Sequence, residues 1–362
     1  MKPVYVTGIP GPSDQVVRDT LADFILKSTN NFQWLTPGDI VLLKPALNSG
    51  DPYPSTTHPL ALEVTSQLLA DRGATVVIGD QSGIGHVLHH PGGVIRGKTL
   101  DNYIRSGMAR NNSARFVSFE EEGWDEGFFH YSSPKTSSWK DGFYITNWVR
   151  KADHIMSLPR VSTHSQAGAT LGLKIMVGLL REDSRMEFHA NGPYNGFIQR
   201  AAQGSSMSVA DDGSGKFFEK IVEISDAVRE KLRFTMFLVT EAQVTFGPDR
   251  YSVGSGNKGI GKAYITRPEP ALVFGCEDQV AAEVFALALL KDLKASVPLV
   301  PLITEKIFLY LNHYVRDLSG VRVRDHPYIR HAIDIGLGEM PADIVYQDIP
   351  DEVRQRYNKY FQ

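Results

Sequence analysis

Apolar residues recur along this chain in two alternating patterns. Residues 39–45 (DIVLLKP), 74–80 (ATVVIGD), 153–159 (DHIMSLP), 233–242 (RFTMFLVTEA) and 271–276 (ALVFGC) contain short apolar runs bounded by charged, Pro or Gly residues. Such runs predict strands buried on both faces of a parallel sheet. Further strands are predicted at the opening VYVTGIP and at 114–120. Between them, residues 13–26, 59–73 and 216–232 space their apolar positions for one face of a helix. Pro59 suits a first helical turn, Gly73 a helix end, and Asp278 an N-cap for a helix reaching Leu293. Helices are also predicted at 98–106, 143–151, 170–180, 301–317 and 326–336, with loops at 81–97, 121–142 and 246–270. Strand and helix in alternation predict an α/β fold, a mainly parallel sheet flanked by helices. The Gly-, Asn- and Ser-rich stretch 189–215 predicts two lobes around a cleft, residues 1–205 and 206–362.

Composition narrows the partners. The 362 residues are 42% hydrophobic and 22% charged, enough to bury a large core. A net charge of -3 carries no basic excess, so no nucleic-acid partner is expected. No apolar run approaches the roughly 20 residues of a membrane helix. The N-terminus does not read as a signal peptide, and a cytoplasmic location is expected. With Cys276 as its single cysteine, the chain alone cannot ligate an iron–sulfur cluster or a zinc ribbon. Gly254, Gly256 and Gly259 spell a dinucleotide fingerprint, and Gly256, Gly261 and Lys262 resemble a phosphate loop. Both need a strand before and a helix after. Here GPDRY precedes, AYITRPEP follows, and Ala263 stands where the phosphate loop needs Ser or Thr, so no NAD is expected.

Candidate chemistry gathers around LPRVSTHSQAGATLGLK, residues 158–174. Lys44, Asp80 and His164 each end or follow a predicted strand, and the carboxyl ends of parallel strands share one edge. Helix starts near Thr57 and Thr170 would present N–H groups to an anion there. Arg160 and Thr163 lie in the same turn. Lys174, between Leu173 and Ile175, is a candidate for a lowered pKa and a role as base or nucleophile. His189 follows by one short connection, whereas His86, His89 and His90 read as a solvated loop. The expectation is an enzyme on a small anionic metabolite, with His164, Lys174 and Asp80 catalytic. Lys44, Thr57, Arg160, Thr163 and Thr170 would bind the substrate. The alternative is a non-catalytic protein that binds a divalent metal or a ligand in the same cleft through His164 and His189.

The blocks VLLKPALN, STTHPLALEVTSQLLADRGATVVIGDQSG, DHIMSLPRVSTHSQAGATLGLK and FGPD occur in an order that resembles the domain of unknown function 362 family. The resemblance covers roughly residues 38–340. Many members of that family have Lys where Arg160 or Ser162 stands, and Asn shortly after the residue matching Lys174, where this chain has Ile175. Many also carry a ferredoxin-like cysteine cluster, which this chain lacks. More distantly, His164 through Lys174 is similar to a block of nickel-pincer lactate racemases. That similarity implies proton–hydride chemistry at His164, a cofactor held by Lys174, and nickel on His189. It implies a racemase- or isomerase-like reaction.

Overall fold

The computed structural model describes residues 2–110, 114–191, 214–250, 263–311 and 320–361. The strands of its main sheet are β1 (Val4–Ile9), β2 (Ile40–Pro45), β3 (Thr75–Asp80), β4 (Arg115–Ser118) and β5 (His154–Leu158). A short hairpin, β6 (Ser162–His164) and β7 (Gly168–Thr170), leaves the sheet after β5. Then come β8 (Leu232–Val239), β9 (Ala242–Gln243), β10 (Ile265–Thr266), β11 (Ala271–Cys276) and β12 (Ile344–Gln347).

One eight-stranded sheet has the order β12-β1-β11-β8-β5-β2-β3-β4. Strand β11 runs antiparallel to both neighbours, and every other pairing in the sheet is parallel. This is the mostly parallel α/β architecture that the apolar runs predict. Side chains alternate between the faces: Leu42 and Val77 join one buried cluster, while Val41, Leu43, Val76 and Ile78 join the other. Helices α1 (Asp14–Ser28, capped by Ser13) and α2 (Pro59–Ala70, capped by His58) cover the second face. Helix α3 (Glu182–Ala190) and α4 (Gln279–Ala295, capped by Asp278 as expected) belong to the first. Strand β1 lies between β11 and β12, so one sheet runs through both predicted lobes. The boundary at 205 falls outside the described residues, as does the glycine-rich 254–262.

Several expected elements differ. Residues 143–151 hold a strand, Phe143–Thr146, before a single turn at Trp148–Lys151. The aromatic and β-branched FYIT pairs with Phe128–Tyr131, inside the stretch expected to be irregular. The loop 81–97 contains the hairpin Leu88–His90 with Gly93–Arg96. The helix expected over 170–180 is instead the end of β7 and a 3-10 segment, Lys174–Leu179. Gly172 and Gly178 weaken a helix there. Glu283 of α4 also accepts a hydrogen bond from the Leu173 amide at 3.0 Å, fixing the turn from outside.

Candidate functional site

The carboxyl ends of β2, β3 and β5 lie side by side, with Leu43 paired to Ile78 and Pro45 to Leu158. Lys44 points off β2 into the protein and is fully buried. Its Nζ lies 2.9 Å from Asp80 Oδ1 and donates to the Pro45 carbonyl at 2.7 Å. The Leu47 and Gln81 amides donate to the same carboxylate at 3.0 and 2.8 Å. A methyl group on Gly178 would overlap this carboxylate, which explains why the backbone there carries no side chain.

After β5 the chain turns at Pro159 and forms the hairpin β6–β7, where His164 pairs with Gly168. Gly168 has φ +77°, a backbone state that favours glycine. The hairpin and the 3-10 segment behind it close a cavity of about 50 Å³ against the strand ends. Asp80, Arg160, His164, Thr170, Lys174 and Arg185 all line it. Six of the expected residues are thereby brought together, five directly and Lys44 through its pair with Asp80. Thr57 and Thr163 are not part of this lining. Thr57 Oγ1 donates to the Leu158 carbonyl and accepts from the Ala46 amide at 2.8 Å, tying α2's approach to the sheet. Thr163 Oγ1 reaches the Gln243 carbonyl at 3.4 Å. Neither Thr57 nor Thr170 opens a helix: His58 caps α2, and Thr170 ends a strand.

Arg185 is a site residue that the sequence reading missed. It lies on α3, fully buried, and shares a face with Phe188 and His189. An arginine on the apolar face of a short helix was the available signal. Its guanidinium donates to the Ser82 and Gln81 carbonyls at 2.6 and 2.9 Å. Arg160 likewise donates to backbone carbonyls, Pro248 at 2.7 Å and Ser55. Neither arginine forms an ion pair with a described carboxylate. Burial pushes Arg160 down to about 10, partly offset by Asp249 and Asp51.

Lys174 is 8% exposed, and its Nζ makes no hydrogen bond or ion pair with a described residue. It sits over the Phe188 ring at 5.5 Å. Burial first, then the charges of Arg185, Arg160 and Lys44, push its pKa down to about 7. His164 is held well below its ordinary value by burial and then by Lys174. Its Nδ1 accepts from the Gln166 and Ala167 amides at 3.1 and 3.2 Å. That fixes the ring proton on Nε2, so His164 is a neutral donor. His189 is pushed down to about 3 by burial, and its Nδ1 donates to the Arg185 carbonyl at 2.8 Å.

This arrangement does not fit a metal carried on His164, whose unprotonated nitrogen is already taken by two amides. Among the described residues, no group of three or more His, Cys, Asp or Glu could hold a metal ion. The three loop histidines are not a solvated set. His89 is buried, with Nδ1 3.9 Å from the Glu182 carboxylate, and burial pushes it down to about 4. His86 pairs with Asp249 at 2.7 Å, and His90 Nδ1 accepts from the Gly92 amide.

Fold and site together define an α/β protein with a buried, mainly cationic pocket at the carboxyl edge of its sheet. The chain belongs to the domain of unknown function 362 family, whose model matches residues 41–288. Every described residue lining the pocket lies within that span. No curated protein and no solved structure matches the chain. No helix among the described residues is long and apolar enough to cross a membrane.

Proposed function

We propose that the pocket binds the carboxylate of a small organic acid and that the protein moves a proton on the adjacent carbon, as a racemase or isomerase does. One observation carries the reading. Arg160, Arg185 and Lys174 surround a space whose only carboxylate among the described residues, Asp80, is already paired with Lys44. Burying three cations with no carboxylate in direct contact is costly, and Asp249 and Asp51 near Arg160 and Glu182 and Glu120 near Arg185 offset it only in part, so an anion would complete the set. The arginines are held by backbone carbonyls rather than carboxylates, so their positive charge remains available to a ligand.

Lys174 is the base. An amine titrating near neutrality is a proton acceptor at physiological pH, and its pKa matches the task. His164 donates from Nε2 to the ligand oxygen on which negative charge builds, as a neutral electrophile rather than a base. Asp80 holds Lys44 and the ends of β2 and β3 in register.

The test tracks solvent deuterium into the carbon beside the carboxylate, by NMR, across a set of short carboxylic acids. Acetate binding is measured by calorimetry in parallel. Arg185→Met and Arg160→Met are expected to weaken acetate binding at least tenfold. Lys174→Met is expected to abolish exchange while acetate still binds. Acetate binding that is absent in the wild type, or unchanged in both arginine variants, refutes the reading. Binding without exchange for any acid leaves a ligand-binding protein rather than an enzyme.

A further inference from the structure

A volume of about 50 Å³ accommodates an anionic group and little else, whereas sites for whole metabolites start near roughly 300 Å³. The rest of a ligand must lie elsewhere. A second cavity, of about 340 Å³, is lined in part by the same hairpin, at Thr163, His164, Gly168 and Ala169. His164 is the one described residue that lines both spaces. The walls of the larger one include Leu287, Leu290, Leu302, Val323 and Tyr360. Two of its lysines are already engaged: Lys294 pairs with Glu305 at 2.8 Å, and Lys291 donates to the Val321 carbonyl at 2.9 Å. The larger chamber is thus chiefly apolar, where the pocket is cationic.

His326 also belongs to that wall. It is 4% exposed. Its Nδ1 accepts from the Tyr328 amide at 3.3 Å, which places the proton on Nε2. That Nε2 is buried with no partner among the described residues. The atom has essentially no accessible surface, so it is closed off from the open space and offers a ligand there no donor. Leu290, Leu302, Val323, His326 and Tyr360 all lie beyond residue 288, outside the span of the family match. The pocket belongs to the family span, and much of the chamber's wall is supplied by this chain's C-terminal part.

We propose that the ligand is an amphipathic carboxylic acid. Its head sits among Arg160, Arg185 and Lys174. Its apolar chain extends past His164, the residue common to both linings, into the second chamber. The proposal rests on the anion reading above and names the substrate class for that site.

Calorimetry on the full chain with straight-chain carboxylates from acetate to decanoate tests it. Affinity is expected to rise about fourfold per methylene until the chamber is full. Leu290→Trp and Leu302→Trp are each expected to end the rise at shorter chains while leaving acetate affinity unchanged. Leu302 is only half-buried, so its variant reads the same space if Leu290→Trp fails to fold. Acetate binding followed by a flat series overturns the chamber and spares the anion site. Decanoate binding without acetate binding overturns both. A rise that persists in both folded tryptophan variants puts the chain elsewhere and sinks the proposal.

Discussion

Two buried lysines sit close together in this protein and could hardly be held more differently. Lys44 ends a strand, is fully buried, and its amine meets Asp80 at 2.9 Å and the Pro45 carbonyl at 2.7 Å. Lys174 begins a 3-10 segment, is nearly as buried, and among the described residues its amine meets the face of Phe188 and no carboxylate. The first has its charge answered within the fold. The second keeps its desolvation cost unanswered and titrates near neutrality as a result. Burial pushes both amines down, but at Lys44 the Asp80 carboxylate pushes back, whereas at Lys174 the neighbouring charges add to the shift.

The comparison breaks most visibly at Asp80. Asp80→Ala strips Lys44 of its carboxylate partner and leaves the Leu47 amide without its acceptor, while the Gln81 amide keeps the Gly178 carbonyl at 3.2 Å. The expected loss is about 3–5 kcal/mol, read by chemical denaturation. A loss below about 1 kcal/mol would mean that the pair does not anchor the strand ends. Thr57→Val tests the supporting shell. It removes the bonds to the Leu158 carbonyl and the Ala46 amide and should cost about 1–3 kcal/mol, with acetate affinity unchanged. An acetate affinity that falls in step with stability would place Thr57 in the site after all.

The smallest change in stability is expected at Lys174, and there the sign is informative. Between pH 7 and 10.5 the folded lysine binds fewer protons than the unfolded one, so its contribution makes stability rise with pH across that window. Lys174→Met removes this slope. The variant should be at least as stable as the wild type at pH 6, with the difference shrinking toward pH 10, as followed by melting temperature. A variant that is less stable than the wild type at pH 6 would show that the amine is paired in the fold.

The parallel strands were legible because a strand buried on both faces leaves a nearly unbroken apolar run. IVLLKP and TVVIGD lie within one residue of their predicted bounds. From them the shared edge, and hence the neighbourhood of Lys44, Asp80 and His164, could be placed. The segment after β5 could not be placed in this way. The hairpin and the 3-10 segment have too few apolar repeats to fix a period, and Glu283, far along the chain, decides the turn at Leu173. Thr57 and Thr163 were expected to contact substrate because hydroxyls near a strand end can serve either ligand or backbone. The structure gives both to backbone carbonyls. Arg185 was passed over because a charged residue in a polar-looking segment reads as surface until the helix face is known.

The placement of β1 sets an order of assembly. Its register joins Tyr5 to Gly275 on one side and to Val345 on the other. Strand β1 is therefore synthesised well before either of its neighbours. Pairings of such long sequence separation form late and slowly. Until residues 271–276 have been made, the exposed edges of β1 are open to pairing with other chains. Production of this protein should accordingly be more sensitive to the pace of translation and to chaperone supply than its ordinary composition suggests.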